Sequence, residues 1–155
     1  MASSMGLLDR FRAALSPEPR LWNELTDIAG RNESLVARLT RHAARCPYGN
    51  LRSGVESLAE TQAANLKQLR SILSEKNLWP RPPEPARDGA NNWERLSLDL
   101  ELLIEITQQL HRAASEWEGI DPELGDKLAA LAIADDARTS ELRALALKFD
   151  PQALD

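Results

Sequence analysis

Apolar residues recur every three or four positions along four stretches of the chain, and each stretch supplies one continuous column. The first column reads Leu21, Leu25, Ile28, Asn32, Leu35, Leu39, His42 and Cys46. The second reads Leu51, Val55, Leu58, Gln62, Asn65, Leu69 and Ile72. The third reads Trp93, Leu96, Leu100, Leu103, Thr107, Leu110, Ala114 and Trp117, and the fourth Leu124, Leu128, Leu131, Asp135, Arg138, Leu142, Leu145 and Phe149. Alternating steps of three and four keep a column on one side of an α-helix. The pattern predicts helices from about Arg20 to Arg45, Asn50 to Lys76, Asn91 or Asn92 to Glu118, and Asp121 to Asp150. Asn91, Asn92 and Asp121 suit an N-cap, and Pro122 suits a first turn. A short amphipathic helix over about Gly6 to Leu15 is expected before them, with Leu7, Leu8, Phe11 and Leu15 on one side. No stretch alternates with period two, so no strand is expected.

The connections order these helices. The first two are joined by Cys46-Pro47-Tyr48-Gly49, where Gly49 could supply a positive φ, and the last two by Gly119-Ile120-Asp121. Links this short make antiparallel neighbours. Between the second and third lies NLWPRPPEPARDGA, a proline-rich stretch long enough to run the length of a helix. Short, long, short predicts an all-α four-helix bundle with one long crossover between its second and third helices, plus the short N-terminal helix. The divisions expected are an N-terminal segment over 1–18, the bundle over 19–150 and a tail over 151–155. Met5 is an alternative start.

Each column is apolar except near its middle. Asn32, Gln62, Asn65, Asp135 and Arg138 fall at one level. A polar group taken into a core unpaired costs about 1–3 kcal/mol. Five together predict a closed hydrogen-bonded layer, with Asp135 and Arg138 also spaced to pair within one helix. Such a layer most simply fixes register.

Composition narrows the function. Hydrophobic residues make up 43% and charged residues 28%, enough for a core. The formal net charge is −5 with no basic run, which argues against nucleic acid. No uncharged run approaches the ~20 residues of a membrane span. One cysteine, Cys46, allows neither an internal disulfide nor a cysteine-based zinc cluster, and a reducing cytoplasm is the expected compartment.

The stretches NESLVARLTRHA, QAANLKQL, LHRAA and DDARTSEL resemble the ferritin-like superfamily, bacterioferritins and rubrerythrins in particular, over roughly Leu21 to Phe149. The resemblance implies a bundle in which two helices each give a Glu and two give a Glu-x-x-His to a pair of metals. Carried onto this chain, the six positions are Asn32, Gln62, Asn65, Leu103, Asp135 and Arg138, of which Asp135 alone is a good ligand. The implied site is degenerate: no metal, cofactor or catalytic residue is expected. A register shifted by one residue would instead bring Glu33, Glu105 and Asp136 inward.

The remaining candidates carry plainer readings. His42 is expected as a satisfied core histidine and His111 as a partly exposed packing residue. Cys46 has no base in evident reach. Trp22, Trp93 and Trp117 read as packing residues, and Trp79 as packing on its own bundle or meeting a partner. The resulting expectation is a non-catalytic bundle acting by association, as a homo-oligomer or with another protein, without nucleic acid or membrane. Two alternatives stay open. One is a divergent metal-binding protein in iron handling or oxidative stress, using Glu33, Glu60, Glu105 and Asp136. The other is a small-molecule carrier using the mid-bundle layer.

Overall fold

The computed structural model describes residues 6–149, apart from residues 84 and 86 and the side chains of residues 12–15. Among the described residues it is all-helical: α1 (Leu7–Leu15), α2 (Glu18–Arg45), α3 (Gly49–Ser74), α4 (Asn92–Glu118) and α5 (Pro122–Lys148). The tail 151–155 and Met5 lie outside them, as does the side chain of Leu15.

The helix ends follow local chemistry. Asn91 Oδ1 accepts from the Glu94 backbone N–H at 2.9 Å, and Asp121 Oδ1 accepts from that of Leu124 at 3.2 Å. Each side chain satisfies an amide that the first turn leaves without a carbonyl. Pro19 and Pro122 sit in first turns, where no helical donor is lost. The end of α3 is closed by Asn77 in the left-handed region, φ 54°. The Leu78 N–H then reaches back to the Leu73 carbonyl at 3.0 Å, which satisfies an orphan carbonyl of the last turn. The positive φ expected at Gly49 is absent, because Gly49 already begins α3 and the chain turns before it.

α2 packs beside α3 and α4, and α5 beside α3 and α4. Cross-helix pairs set the directions. Arg20, Arg31 and Arg38 of α2 meet Glu116, Glu105 and Asp99 of α4, so these helices are antiparallel. The core runs down the middle and consists of most of the predicted columns together with Leu66, Leu73 and Ile106 beside them, while Ile72, Leu100, Leu145 and Phe149 are only partly buried. Leu25, Leu35, Val55, Leu69, Leu110, Leu128 and Leu142 are completely buried, and each such side chain contributes about 1.5–3 kcal/mol relative to exposure. Trp117 closes one end with its ring edge-on to Trp22, centroids 4.9 Å apart. Trp93, expected in the core, is 38% exposed because it sits in the first turn of α4, above the packed layers.

The link between α3 and α4 lies against α2. The Arg81 N–H donates to the Thr26 carbonyl at 2.9 Å, and Arg81 Nη2 to Asn23 Oδ1 at 2.6 Å. Gly30 makes this approach possible, since a Cβ there would stand 1.8 Å from the Arg81 carbonyl oxygen. Further on, Asp88 reaches His42, a full four turns along α2 from Thr26. Trp79, in the same link, is 76% exposed rather than packed on the bundle.

Candidate functional site

The mid-bundle layer forms where the columns predict it, with its hydrogen bonds arranged as two neighbouring pairs. Asn32, Gln62, Asn65 and Asp135 are buried. Gln62 Nε2 donates to Asn32 Oδ1 at 2.8 Å, tying α3 to α2. Asn65 Nδ2 donates to Asp135 Oδ1 at 2.8 Å, tying α3 to α5. Arg138 Nη1, at the margin, donates to the same oxygen at 3.2 Å. α4 offers only the apolar Leu103 at this level, and the Thr107 hydroxyl turns back to the Leu103 carbonyl at 2.7 Å. The expected closed ring is thus open on the α4 side. Asn32 Nδ2, Gln62 Oε1 and Asp135 Oδ2 have no hydrogen-bond partner among the described residues. Burial pushes the Asp135 carboxyl above its usual range, and the bond from Asn65 and the charge of Arg138 only partly offset this.

A second buried cluster was not visible in the sequence. Asp99 of α4 is completely buried. Its Oδ2 stands 2.5 Å from His42 Nδ1, and its Oδ1 stands 2.8 Å from Arg38 Nε. The second contact is an ion pair lying off the line of a hydrogen bond. The other face of the His42 ring, Nε2, meets Asp88 Oδ1 at 3.3 Å, and Arg45 Nη1 meets Asp88 Oδ2 at the same distance. Both ring nitrogens of His42 thus face a carboxylate oxygen, one from α4 and one from the link. Partial desolvation pushes the Asp88 carboxyl up, but His42 and Arg45 together hold it below its usual range. His42 is therefore the satisfied core histidine expected, and its partners clamp the end of the link to α2 and α4.

Neither cluster includes a cysteine, serine or lysine. The nearest reactive side chain, Cys46, is buried, with its Sγ 3.4 Å from the His42 carbonyl oxygen. Burial also pushes its thiol up, away from the thiolate that would react.

The candidate carboxylates of the shifted register lie outside the bundle. Glu33 pairs with Arg70, Glu105 with Arg31 and Asp136 with His111, and Glu60 is exposed. That alternative register is overturned, because the buried faces of α2, α4 and α5 carry Asn32, Leu103 and Asp135. His111 is about half exposed and is held at 2.8 Å from Asp136. A pair of metals does not fit the inward positions. Amides are weak ligands, leucine is none, and the Arg138 guanidinium sets a positive charge 3.2 Å from Asp135 Oδ1, the one inward carboxylate of the layer. Among the described residues, no group of three or more His, Cys, Asp or Glu is placed to hold a metal. Among the described residues, surface clefts of about 200 to 660 Å³ lie along the bundle, one lined by Asp27, Arg31 and Arg81 and another by Trp22, Thr26 and Lys76, away from the residues of the polar layer. Among the described residues, no helix is long and apolar enough to cross a membrane.

No protein-family model matches the chain, and no curated protein matches it significantly.

Proposed function

We propose that this chain is a ferritin-like bundle without a metal centre, acting by association through its outer surface. The ferritin-like layout is supported by the path of the link along α2 and by the short, long, short connections. The interior offers little chemistry: the inward polar groups at mid-height are taken up largely by one another, and the second cluster holds the link. The outer surface does offer something. Leu7, Leu8 and Phe11 of α1, Trp79 of the link, and Ile133 and Leu147 of α5 are all more than half exposed, and this carries the proposal. Scattered apolar residues are ordinary on a surface, but repeated ones on single helix faces favour a partner.

The test is sedimentation equilibrium of the full chain from about 1 to about 100 µM, the range of weak specific complexes. A mass above the 17.2 kDa of one chain is expected. A single-chain mass throughout, with no partner retained from a native extract, would remove the proposal.

A further inference from the structure

α5 differs from the other bundle helices in having two apolar columns. The inward one begins at Leu124 and Leu128. Two positions further along, and so on the opposite side of the helix, Ala130, Ile133, Ala137, Ser140, Ala144 and Leu147 repeat the three–four spacing. All six are exposed, Ile133 at 65% and Leu147 at 56%. The same outward positions of α2 include Asn23, Asp27 and Arg41, those of α3 include Ser57, Glu60 and Lys67, and those of α4 include Glu105, Arg112 and Glu116, with Leu98 and Leu102 there only half-exposed. A second seam of this spacing is what a helix needs to pack against another helix.

We propose that two copies of this chain join through the outward faces of α5, packed antiparallel about a two-fold axis. The inference rests on the association reading above and names its partner. Side-chain size and charge both select the arrangement. When Ala137 faces Ser140 of the second copy, Ile133 faces Ala144 and Leu147 faces Ala130, so each large side chain meets a small one. The same register brings Asp136 beside Arg143 of the second copy, and symmetry makes this pair twice. Lys127 and Lys148 face each other only at the solvated ends. A parallel pairing would set Asp136 against Glu141 and Arg143 against Lys148, like charges at both places. His111 already steadies the Asp136 carboxylate at 2.8 Å. One helix pair falls at the small end of specific interfaces, so a dissociation constant on the order of micromolar is expected.

The experiment is sedimentation velocity of the full chain and its variants, with circular dichroism to show that each is folded. Wild type should form a dimer. Ile133→Glu with Leu147→Glu should weaken it at least about tenfold, since charge enters a desolvated seam. Asp136→Arg and Arg143→Asp should each weaken it, and the two together should restore it. Under a glutathione redox buffer, Ile133→Cys with Ala144→Cys should give a covalent dimer, and Ile133→Cys alone should not. The cysteine pair remains informative if the glutamate variant fails to fold. A wild type that stays monomeric would overturn both this dimer and self-association. A dimer indifferent to the glutamates, with no cross-link from the cysteine pair, would overturn the α5 interface while leaving association through another face. Cross-linking by Ile133→Cys alone would overturn the antiparallel arrangement.

Discussion

Replacing Gly30 by alanine should destabilise this protein, against the usual sign of that change. Inside a helix, alanine is ordinarily better than glycine by about 0.5–1 kcal/mol. At Gly30 the added carbon would meet the Arg81 carbonyl oxygen at 1.8 Å and its carbonyl carbon at 2.9 Å. Non-bonded heavy atoms settle near about 3.5 Å, so the link must retreat by roughly 1.7 Å. Both sides are backbone, one of them helical and the other flanked by Pro80 and Pro82, so no side-chain rotation relieves the contact. The retreat breaks the Arg81 N–H to Thr26 carbonyl bond, worth about 1 kcal/mol. It also loosens half-buried Leu78, at a cost of about 1 kcal/mol for partial re-exposure. With the shared loss of link packing set against the alanine gain, the net effect is about 1–2 kcal/mol destabilising, or a fall in Tm of roughly 2–8 °C. Urea unfolding followed by circular dichroism measures this, and trypsin cleavage at Arg87 reports separately on the link. A stabilised variant with unchanged cleavage at Arg87 would refute the reasoning.

Other substitutions probe the buried clusters. Asp99→Ala strands Arg38 and His42 in the interior and should cost about 3–5 kcal/mol in urea unfolding. Asp99→Asn, which keeps an acceptor, should cost less, and a loss below about 1 kcal/mol for the alanine variant would show that the cluster is slack. The raised pKa of Asp135 has a definite sign. The folded state binds that proton more tightly than the unfolded chain, whose carboxyl titrates near about 3.9. The stability it contributes is present below that value and lost as pH rises through the folded pKa. Wild type should therefore lose stability relative to Asp135→Asn across that window, and a difference independent of pH would contradict the burial effect.

The fold was legible in the sequence to the extent that one residue's neighbours lie on its own helix. Three–four periodicity located most of the core, missing the flanking Leu66, Leu73 and Ile106, and Asn91, Asp121 and Pro122 marked the helix starts. Asn32, Gln62, Asn65 and Asp135 stood out because polar residues interrupted otherwise apolar columns. Asp99 did not, because it lies beside the column in an apolar run, and its partners Arg38 and His42 come from another helix. Only the antiparallel register of α2 and α4 brings them together. The opening of the layer on the α4 side was implicit in Leu103, yet hydrogen bonds between amides depend on rotamers that spacing does not encode. Asn77 rather than Gly49 took the left-handed turn, since either residue type tolerates it and the α3 end required it. The outward column of α5 was present in the same periodicity, two positions from the inward one.

Elemental analysis after incubation with excess Fe(II) or Mn(II), followed by desalting, tests most directly whether the centre of the bundle is filled by its own side chains. No retained metal is expected, since the inward positions offer three amides, Leu103 and a single carboxylate, and Arg138 adds a positive charge beside it. Two metal ions per chain would contradict this, and would show that the inward faces rearrange to bind them.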